Sequence, residues 1–189
     1  MDKLLLEVDS LAKKEIRKHG FPSLEDYTTT NEVGLELAKK LGADKRIVAL
    51  GTRLLDIKIG EGLKEGKPAK HIPRAIKVAK KILNKHYLDP SFKKKVINCI
   101  EAHHREKPFI CIEAEICANA DAWKFMTPRK FLKAFYNLAD KLKFEEVLQF
   151  IDEKVEEKHK NLTLDLCKRE LEGNYLLMKK LLKAARRER

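Results

Sequence analysis

A chain of 189 residues can bury one proper hydrophobic core and is short for two domains, so we expect a single domain. Its longest apolar run, residues 109–123, carries three acidic side chains, which excludes a membrane span. Because no secretory h-region is recognisable either, we predict a soluble, cytoplasmic protein. The net charge of +12 favours phosphate-bearing partners, and abundant Lys and Glu beside a single Gln indicate a thermophilic source.

Helical periodicity dominates the chain, and we predict an all-α fold without strands. Six helices are predicted first, over about 2–18, from the mid-twenties to 41, and over 45–56, 71–86, 90–104 and 109–125. Thr127-Pro128 opens a seventh helix, and one or two long amphipathic helices follow it to about 186. Residues 57–70 contain three glycines and a proline and are predicted to be a loop. Asp44 and Asp89 are the predicted N-caps, and Gly42 is a suitable residue to follow the second helix.

Basic residues are concentrated in two segments. Residues 67–95 hold ten Lys or Arg against Asp89 alone, and residues 179–189 hold six against Glu188. Such segments attract phosphate groups of nucleotides or of nucleic acid, although a solvated lysine-rich surface explains them equally well. Because no helix-turn-helix motif and no aromatic stacking platform is recognisable, nucleic acid is the less favoured partner.

The remaining apolar features fit a helical core. The four cysteines lack C-x-x-C spacing and lie in apolar helical patterns, so we interpret them as reduced core residues rather than as a structural zinc site. Near the C-terminus an apolar leucine stripe must pack either on the domain or on another subunit, which leaves a homodimer open. The stripe consists of Leu176, Leu177, Leu181 and Leu182.

Several polar side chains fall on apolar helix faces. Asp56 ends a buried helix, where the helix dipole disfavours an anion. His103 continues the apolar stripe of its helix, with His104 at the edge of that stripe, and Asp121 shares a stripe with Glu113. A buried, unpaired carboxylate is costly, so each must be protonated, paired or bound to a metal.

Each of these residues also has a simpler interpretation. A single His on an apolar face is usually a hydrogen-bonded core residue, Asp56 could cap the following loop, and Asp121 could pair with Arg129 or Lys124. If they converge with His71, which opens a basic helix, their mixed oxygen and imidazole donors suit magnesium or a divalent transition metal. Periodicity alone does not show that convergence.

Four segments, taken in order, resemble the HD-domain superfamily of metal-dependent phosphohydrolases. They read LELAKKLGADKRIVALGTRLLDIKIGEG, KHIPRAIKVAKKIL, VINCIEAHHREK and EAEICANADAWKF. In that family a His-Asp doublet ends one helix, a His opens the helix after a loop, another His closes a further helix, and an Asp follows. The resemblance covers about residues 20–135 and implies a compact multi-helix bundle, with residues 136–189 as a C-terminal helical extension.

The resemblance also implies roles for individual residues. The implied metal ligands are Asp56, Asp121, His71, His103 and, at the family's early His position, Asp26. Asn31 is a less favoured alternative at that early position. Asp56 and His103 would also act in catalysis. The residues implied to bind the substrate phosphate are Lys58, Lys70, Arg74 and His104.

The chain departs from the family at the doublet, which reads Leu55-Asp56 and has lost its His. A site with more carboxylates is harder and favours Mg²⁺ or Mn²⁺ over Zn²⁺. The resemblance therefore implies a phosphohydrolase that uses a divalent metal to cleave a phosphoester, with a nucleotide as the favoured substrate. The alternative is a catalytically lapsed HD-fold protein with a regulatory or scaffolding role, which binds a phosphorylated ligand and either retains or has lost the metal.

Overall fold

The computed structural model describes residues 2–186, and within that range the chain is all-α, as predicted. The helices are α1 (Lys3–His19), α2 (Leu24–Lys40), α3 (Lys45–Leu54), α4 (Ile59–Lys64), α5 (His71–Leu83), α6 (Pro90–Glu101), α7 (Ile112–Phe125), α8 (Pro128–Leu138), α9 (Phe144–Asn161) and α10 (Asp165–Ala185), with a 3-10 turn at Pro68–Lys70. No strand occurs in residues 2–186. Residues 187–189 of the predicted basic tail lie outside the described residues.

Capping side chains set several helix boundaries where the sequence predicts them. Asp44 accepts hydrogen bonds from the backbone N–H groups of Arg46 and Ile47, at 2.8 and 3.3 Å, and so opens α3. Asp89 caps α6 in the same way. Gly42 follows α2 with a φ of +65°, a left-handed conformation that glycine adopts without strain.

The segment 57–70 is mostly helical, so the prediction of a loop is wrong. It contains α4 and the 3-10 turn Pro68–Lys70. Gly60 permits this arrangement because a Cβ at that position would lie 2.4 Å from the carbonyl oxygen of Phe21 and 2.7 Å from Cβ of His19. The glycine that suggested a loop instead lets α4 pack directly against the end of α1.

Other helix ends differ from the prediction by two or three residues. Helices α3, α5 and α6 end before the predicted limits of 56, 86 and 104, and α7 begins at Ile112 rather than at 109. The shortened ends of α3 and α6 matter because Asp56, His103 and His104 consequently lie in turns. A turn can direct neighbouring side chains to one place, whereas a helix separates them by about 100°.

The described chain divides into two compact units within α7. In the unit up to Asp121, α3 packs on both α2 and α6, and α5 packs on α6. In the unit from Ala122, α9 packs on α8 and α10. A single domain with a family-like core to about 135 stays a prediction. None of the helices over residues 2–186 combines the length and the apolar character needed to cross a membrane.

The cysteines occupy core positions, as the sequence indicates. Cys99, Cys117 and Cys167 are buried, Cys111 is partly buried, and all four are free thiols. Burial raises the pKa of the Cys99 thiol well above its ordinary value, so this thiol stays protonated and behaves as a small apolar side chain.

Replacing Asp44 with alanine should destabilise the protein by about 1 kcal/mol, because two N–H groups at the start of α3 lose their acceptor. Urea unfolding followed by circular dichroism measures this loss. Asp165→Ala is the matched control, since that carboxylate also lies in the first turn of a helix but is 85% exposed and forms a surface ion pair with Lys168. Equal effects of the two substitutions would contradict the capping role of Asp44.

Candidate metal centre

Asp56 lies in the turn that follows α3, and two imidazoles face its carboxylate. Its Oδ1 atom is 3.7 Å from Nε2 of His71 and 3.8 Å from Nε2 of His103. The negative end of the α3 dipole disfavours an anion at this position. The side chain is only 17% exposed, so neighbouring groups rather than bulk water must stabilise the charge.

Backbone carbonyl groups orient both imidazoles. His71 is the first residue of α5, and its Nδ1 lies 2.7 Å from the carbonyl oxygen of Pro68 in the preceding 3-10 turn. His103 lies just beyond α6, and its Nδ1 is 2.6 Å from the carbonyl oxygen of Ile100. A carbonyl oxygen only accepts hydrogen bonds, so each Nδ1–H donates, and each neutral ring presents an Nε2 lone pair.

The two Nε2 atoms point at each other across 3.3 Å. Two lone pairs at that distance repel unless a proton or a cation lies between them. Metal-binding histidines usually donate their other ring N–H to a carbonyl or carboxylate, which is the arrangement found at His71 and His103. The donor chemistry therefore fits a bound cation.

The spacing of the three donor atoms also fits a metal ion. Asp56 Oδ1, His71 Nε2 and His103 Nε2 are separated by 3.3, 3.7 and 3.8 Å. A circle through three atoms at these separations has a radius of about 2.1 Å, close to the bond length between a transition metal and imidazole or carboxylate donors. The three donor atoms are therefore close enough together to share one ion.

His104 adds a third imidazole to the cluster. Its ring centroid is 4.2 Å from that of His103 and 5.4 Å from that of His71. One nitrogen from each of the three rings lies within 4.8 Å of the other two. The backbone turns sharply directly after His104, where Arg105 adopts a φ of +65°.

Two carboxylates act electrostatically on His103. Burial lowers the pKa of His103, while the negative charges of Asp121 and Asp56 oppose that shift. Asp121 is buried in α7 at 2% exposure, on the stripe that it shares with the buried Glu113 and Cys117. The structure therefore brings together Asp56, His71, His103 and His104, with the charge of Asp121 in their vicinity.

The early ligand position is the least defined part of the site. Asp26 is buried in α2, with its backbone carbonyl accepting a hydrogen bond from the Thr30 hydroxyl. Asn31 is also buried, and its Oδ1 atom has no hydrogen-bond partner. One turn further along α2, a Cβ at Gly34 would lie 2.7 Å from the Thr52 side chain, so this part of α2 closely approaches α3. The metal-ligand role of Asp26 stays a prediction, and Asn31 is a second candidate.

The side chains predicted to bind phosphate have different surroundings. Lys58 and Arg74 form ion pairs with three acidic side chains for which the sequence gives no site role, namely Glu15, Glu61 and Glu65. Lys70 is exposed and directly precedes His71. His104 lies within the imidazole cluster. Of the two lysines, Lys70 is therefore the better placed to meet a ligand at the cluster.

Comparisons with known proteins support the fold. No family model matches the chain, and no curated protein matches it significantly. A crystal structure described as a predicted HD superfamily hydrolase, from an uncultured Thermotogales bacterium, matches with a TM-score of 0.62 and 18% sequence identity. The match covers 80% of this chain and 89% of that chain.

This likeness defines the class of protein. The chain is an all-α protein with the HD hydrolase fold, and the resemblance that its motifs indicate is confirmed at the level of the fold. A histidine cluster at the expected place agrees with an HD-type metal site. Leu55, which directly precedes Asp56, is buried at 1% exposure and offers no donor atom.

Proposed function

We propose that this protein is a divalent-metal-dependent phosphohydrolase that acts on a nucleotide-like phosphoester. The observation that carries the proposal is the pair of facing Nε2 atoms of His71 and His103, with Asp56 Oδ1 beside them. Backbone carbonyls fix both rings with their lone pairs directed inward, so the donors are oriented before any ion binds.

Asp56, His71 and His103 would hold the ion, and Asp121 would add a buried negative charge near it. A bound divalent metal lowers the pKa of a water ligand and polarises a phosphoryl oxygen. Two imidazoles with one carboxylate suit Mn²⁺, Zn²⁺ or iron better than Mg²⁺, because imidazole is a softer donor than oxygen. The donor set around Asp56 is thus less carboxylate-rich than the sequence alone suggests.

The substrate phosphate would be bound by side chains at the rim of the cluster. His104 is less buried than His71 and His103, so its ring is the one most accessible to a ligand. Lys70 is exposed next to His71 and can contribute a positive charge to the same ligand. A compact phosphorylated molecule fits this arrangement of one imidazole and one ammonium group.

The test is a screen for phosphate release from nucleoside mono-, di- and triphosphates by protein stripped with a chelator and then supplied with Mn²⁺, Zn²⁺ or Mg²⁺. We expect metal-dependent hydrolysis of at least one nucleotide. Asp56→Ala should reduce it by at least about a hundredfold, because the carboxylate is one of the donors to the ion. Asp165→Ala, which removes an exposed carboxylate, should leave the rate unchanged. If the Asp56→Ala protein still hydrolysed the nucleotide at the parental rate, the centre around Asp56 would not be the site of hydrolysis.

The buried Leu55 favours a second candidate function, that of a lapsed enzyme. Loss of the doublet His removes one donor from the family arrangement, and an apolar side chain fills its place. In this case the protein would bind a metal or a phosphorylated ligand in a regulatory or scaffolding role. Stoichiometric metal binding without turnover of any nucleotide in the same screen would support this candidate over the first. A homodimer, a cytoplasmic location and a thermophilic source stay predictions.

A further inference from the structure

A second cluster of potential metal ligands joins α1 to α4, apart from the imidazole cluster. Glu15 and His19 lie one turn apart on α1, and Glu61 lies on α4. One ligand atom from each of these three side chains falls within 4.8 Å of the other two. Nε2 of His19 lies 3.6 Å from Oε2 of Glu15.

His19 is unusual because both of its ring nitrogens are buried without a hydrogen bond. Its side chain is 10% exposed, and neither Nδ1 nor Nε2 has a hydrogen-bond partner. Leaving a buried polar group unsatisfied costs about 1–3 kcal/mol, so such groups normally face a water, an ion or another polar group. The His19 Nε2 lies 3.6 Å from Oε2 of Glu15, and one ring nitrogen is within 4.8 Å of a carboxylate oxygen of both Glu15 and Glu61.

A cation already lies between those carboxylates. Lys58 Nζ is 2.9 Å from Oε2 of Glu15 and 2.7 Å from Oε2 of Glu61. Burial alone would lower the pKa of Lys58, but its hydrogen bonds to Glu61 and Glu15 raise it, so the ammonium group stays charged. The ammonium group pairs with both carboxylates, while neither ring nitrogen of His19 has a hydrogen-bond partner.

The packing of the two helices brings the cluster together. A Cβ on Gly60 would lie 2.7 Å from Cβ of His19, so α4 approaches the end of α1 as closely as backbone geometry allows. Glu61, the next residue, is therefore held beside the ring. Arg74 binds the other carboxylate oxygen of Glu61 at 2.8 Å and fixes its orientation.

We propose that Glu15, His19 and Glu61 form a second site for a divalent transition metal, in which the Lys58 ammonium group is the occupant only when no metal is bound. Two carboxylates and one imidazole suit Zn²⁺ or Mn²⁺, with water completing the coordination. The ion would bind a ring nitrogen of His19 and replace the Lys58 ammonium group between the two carboxylates. It would thereby cross-link α1 to α4. This site is independent of the proposed phosphohydrolase activity.

The experiment uses the full chain carrying His71→Ala and His103→Ala, which removes the first centre. Zn²⁺ binding is measured by isothermal titration calorimetry, and Co²⁺ binding by visible absorption. We expect one ion per chain in this background. Lys58→Met should tighten binding at least about tenfold, since it removes the competing cation but keeps the apolar stem of the side chain.

Two further variants keep the test decisive. Glu61→Gln should weaken binding at least about tenfold, and because Glu61 is partly exposed this change is not expected to disturb folding. His86→Ala, which removes another histidine paired with a glutamate, should have no effect. If no ion binds in the Lys58→Met protein, or if binding persists unchanged in Glu61→Gln, the second site does not exist. Either result would leave the first centre untouched.

Discussion

Replacing His103 with alanine is expected to remove one bound divalent metal ion and to weaken binding at the imidazole centre by at least about a hundredfold. Loss of an outer partner alone costs about 10–100-fold in metal affinity, and His103 is proposed as a direct donor. Its Nε2 atom is 3.3 Å from that of His71 and 3.8 Å from Asp56 Oδ1, so its loss removes one of the three donors that lie close enough to share an ion.

The measurement is metal content by mass spectrometry after equilibrium dialysis against Mn²⁺ or Zn²⁺, in a Glu61→Gln background that lacks the second proposed site. Thermal unfolding gives an independent readout. At a free metal concentration about a hundred times the dissociation constant, binding should stabilise the parent protein by about 2.7 kcal/mol. The His103→Ala protein should gain almost nothing from the same metal.

A control separates the loss of a donor from general damage to the fold. His86→Ala removes a partly exposed imidazole that pairs with Glu7, and it should retain both the ion and the thermal shift. His103 is fully buried, so its replacement also creates a cavity and lowers stability in the absence of metal. A His103→Ala protein that is folded and still binds one ion with parental affinity would refute the imidazole centre.

The sequence predicts those parts of the molecule that depend on local chemistry. Asp44 and Asp89 cap helices because a carboxylate next to a helix start satisfies free N–H groups, whatever the rest of the chain does. His103 lies on an apolar stripe, and that position alone indicates burial, which the structure confirms. The order of the motifs was sufficient to identify the fold.

Features that depend on distant contacts could not be predicted in this way. From the sequence, Gly60 indicates a helix break. In the structure, the absence of a side chain at this position allows α4 to contact α1. The sequence does not show that Lys58 is paired with Glu15, 43 residues before it, or Arg74 with Glu61 and Glu65, because the fold brings these side chains together. The only sequence signal of the second cluster is the spacing of Glu15 and His19 by one helical turn.

The orientation of the imidazoles is a further feature that no residue pattern contains. Which ring nitrogen of His71 faces Asp56 depends on the carbonyl of Pro68, and that carbonyl is positioned by a 3-10 turn within the predicted loop. Sequence therefore indicates which side chains could meet. The direction of their lone pairs, which decides whether they can bind a cation, follows only from the backbone.

Gly51→Ala is expected to destabilise the protein by about 3 kcal/mol, although alanine normally favours a helix interior. A Cβ at this position in α3 would lie 2.6 Å from Cβ of Cys99 in α6 and 2.7 Å from Sγ of Cys117 in α7. The contact with Cys99 involves an atom next to the backbone, so relief requires helices to separate rather than a side chain to rotate. Urea unfolding measures the loss.

The same change should also weaken metal binding, because Gly51 sets the spacing of the helices that carry the site. Cys99 and Cys117 are each four residues before a site residue, His103 and Asp121, and Asp56 follows Gly51 by five residues. In α3, α6 and α7 alike, the close contact around Gly51 is thus about one helical turn along the chain from the residues of the imidazole centre. Separation of α3 from α6 there would increase the 3.8 Å distance between Asp56 and His103.

Gly173→Ala is the matched control, since this glycine lies inside α10 with no atom near the position of an added Cβ. It should stabilise the protein by about 0.5–1 kcal/mol, the ordinary gain of alanine over glycine in a helix. The opposite signs of the two substitutions would separate close packing from helix propensity. If Gly51→Ala were as stabilising as Gly173→Ala, the close approach of α3, α6 and α7 could not be what holds Asp56 and His103 within reach of one ion.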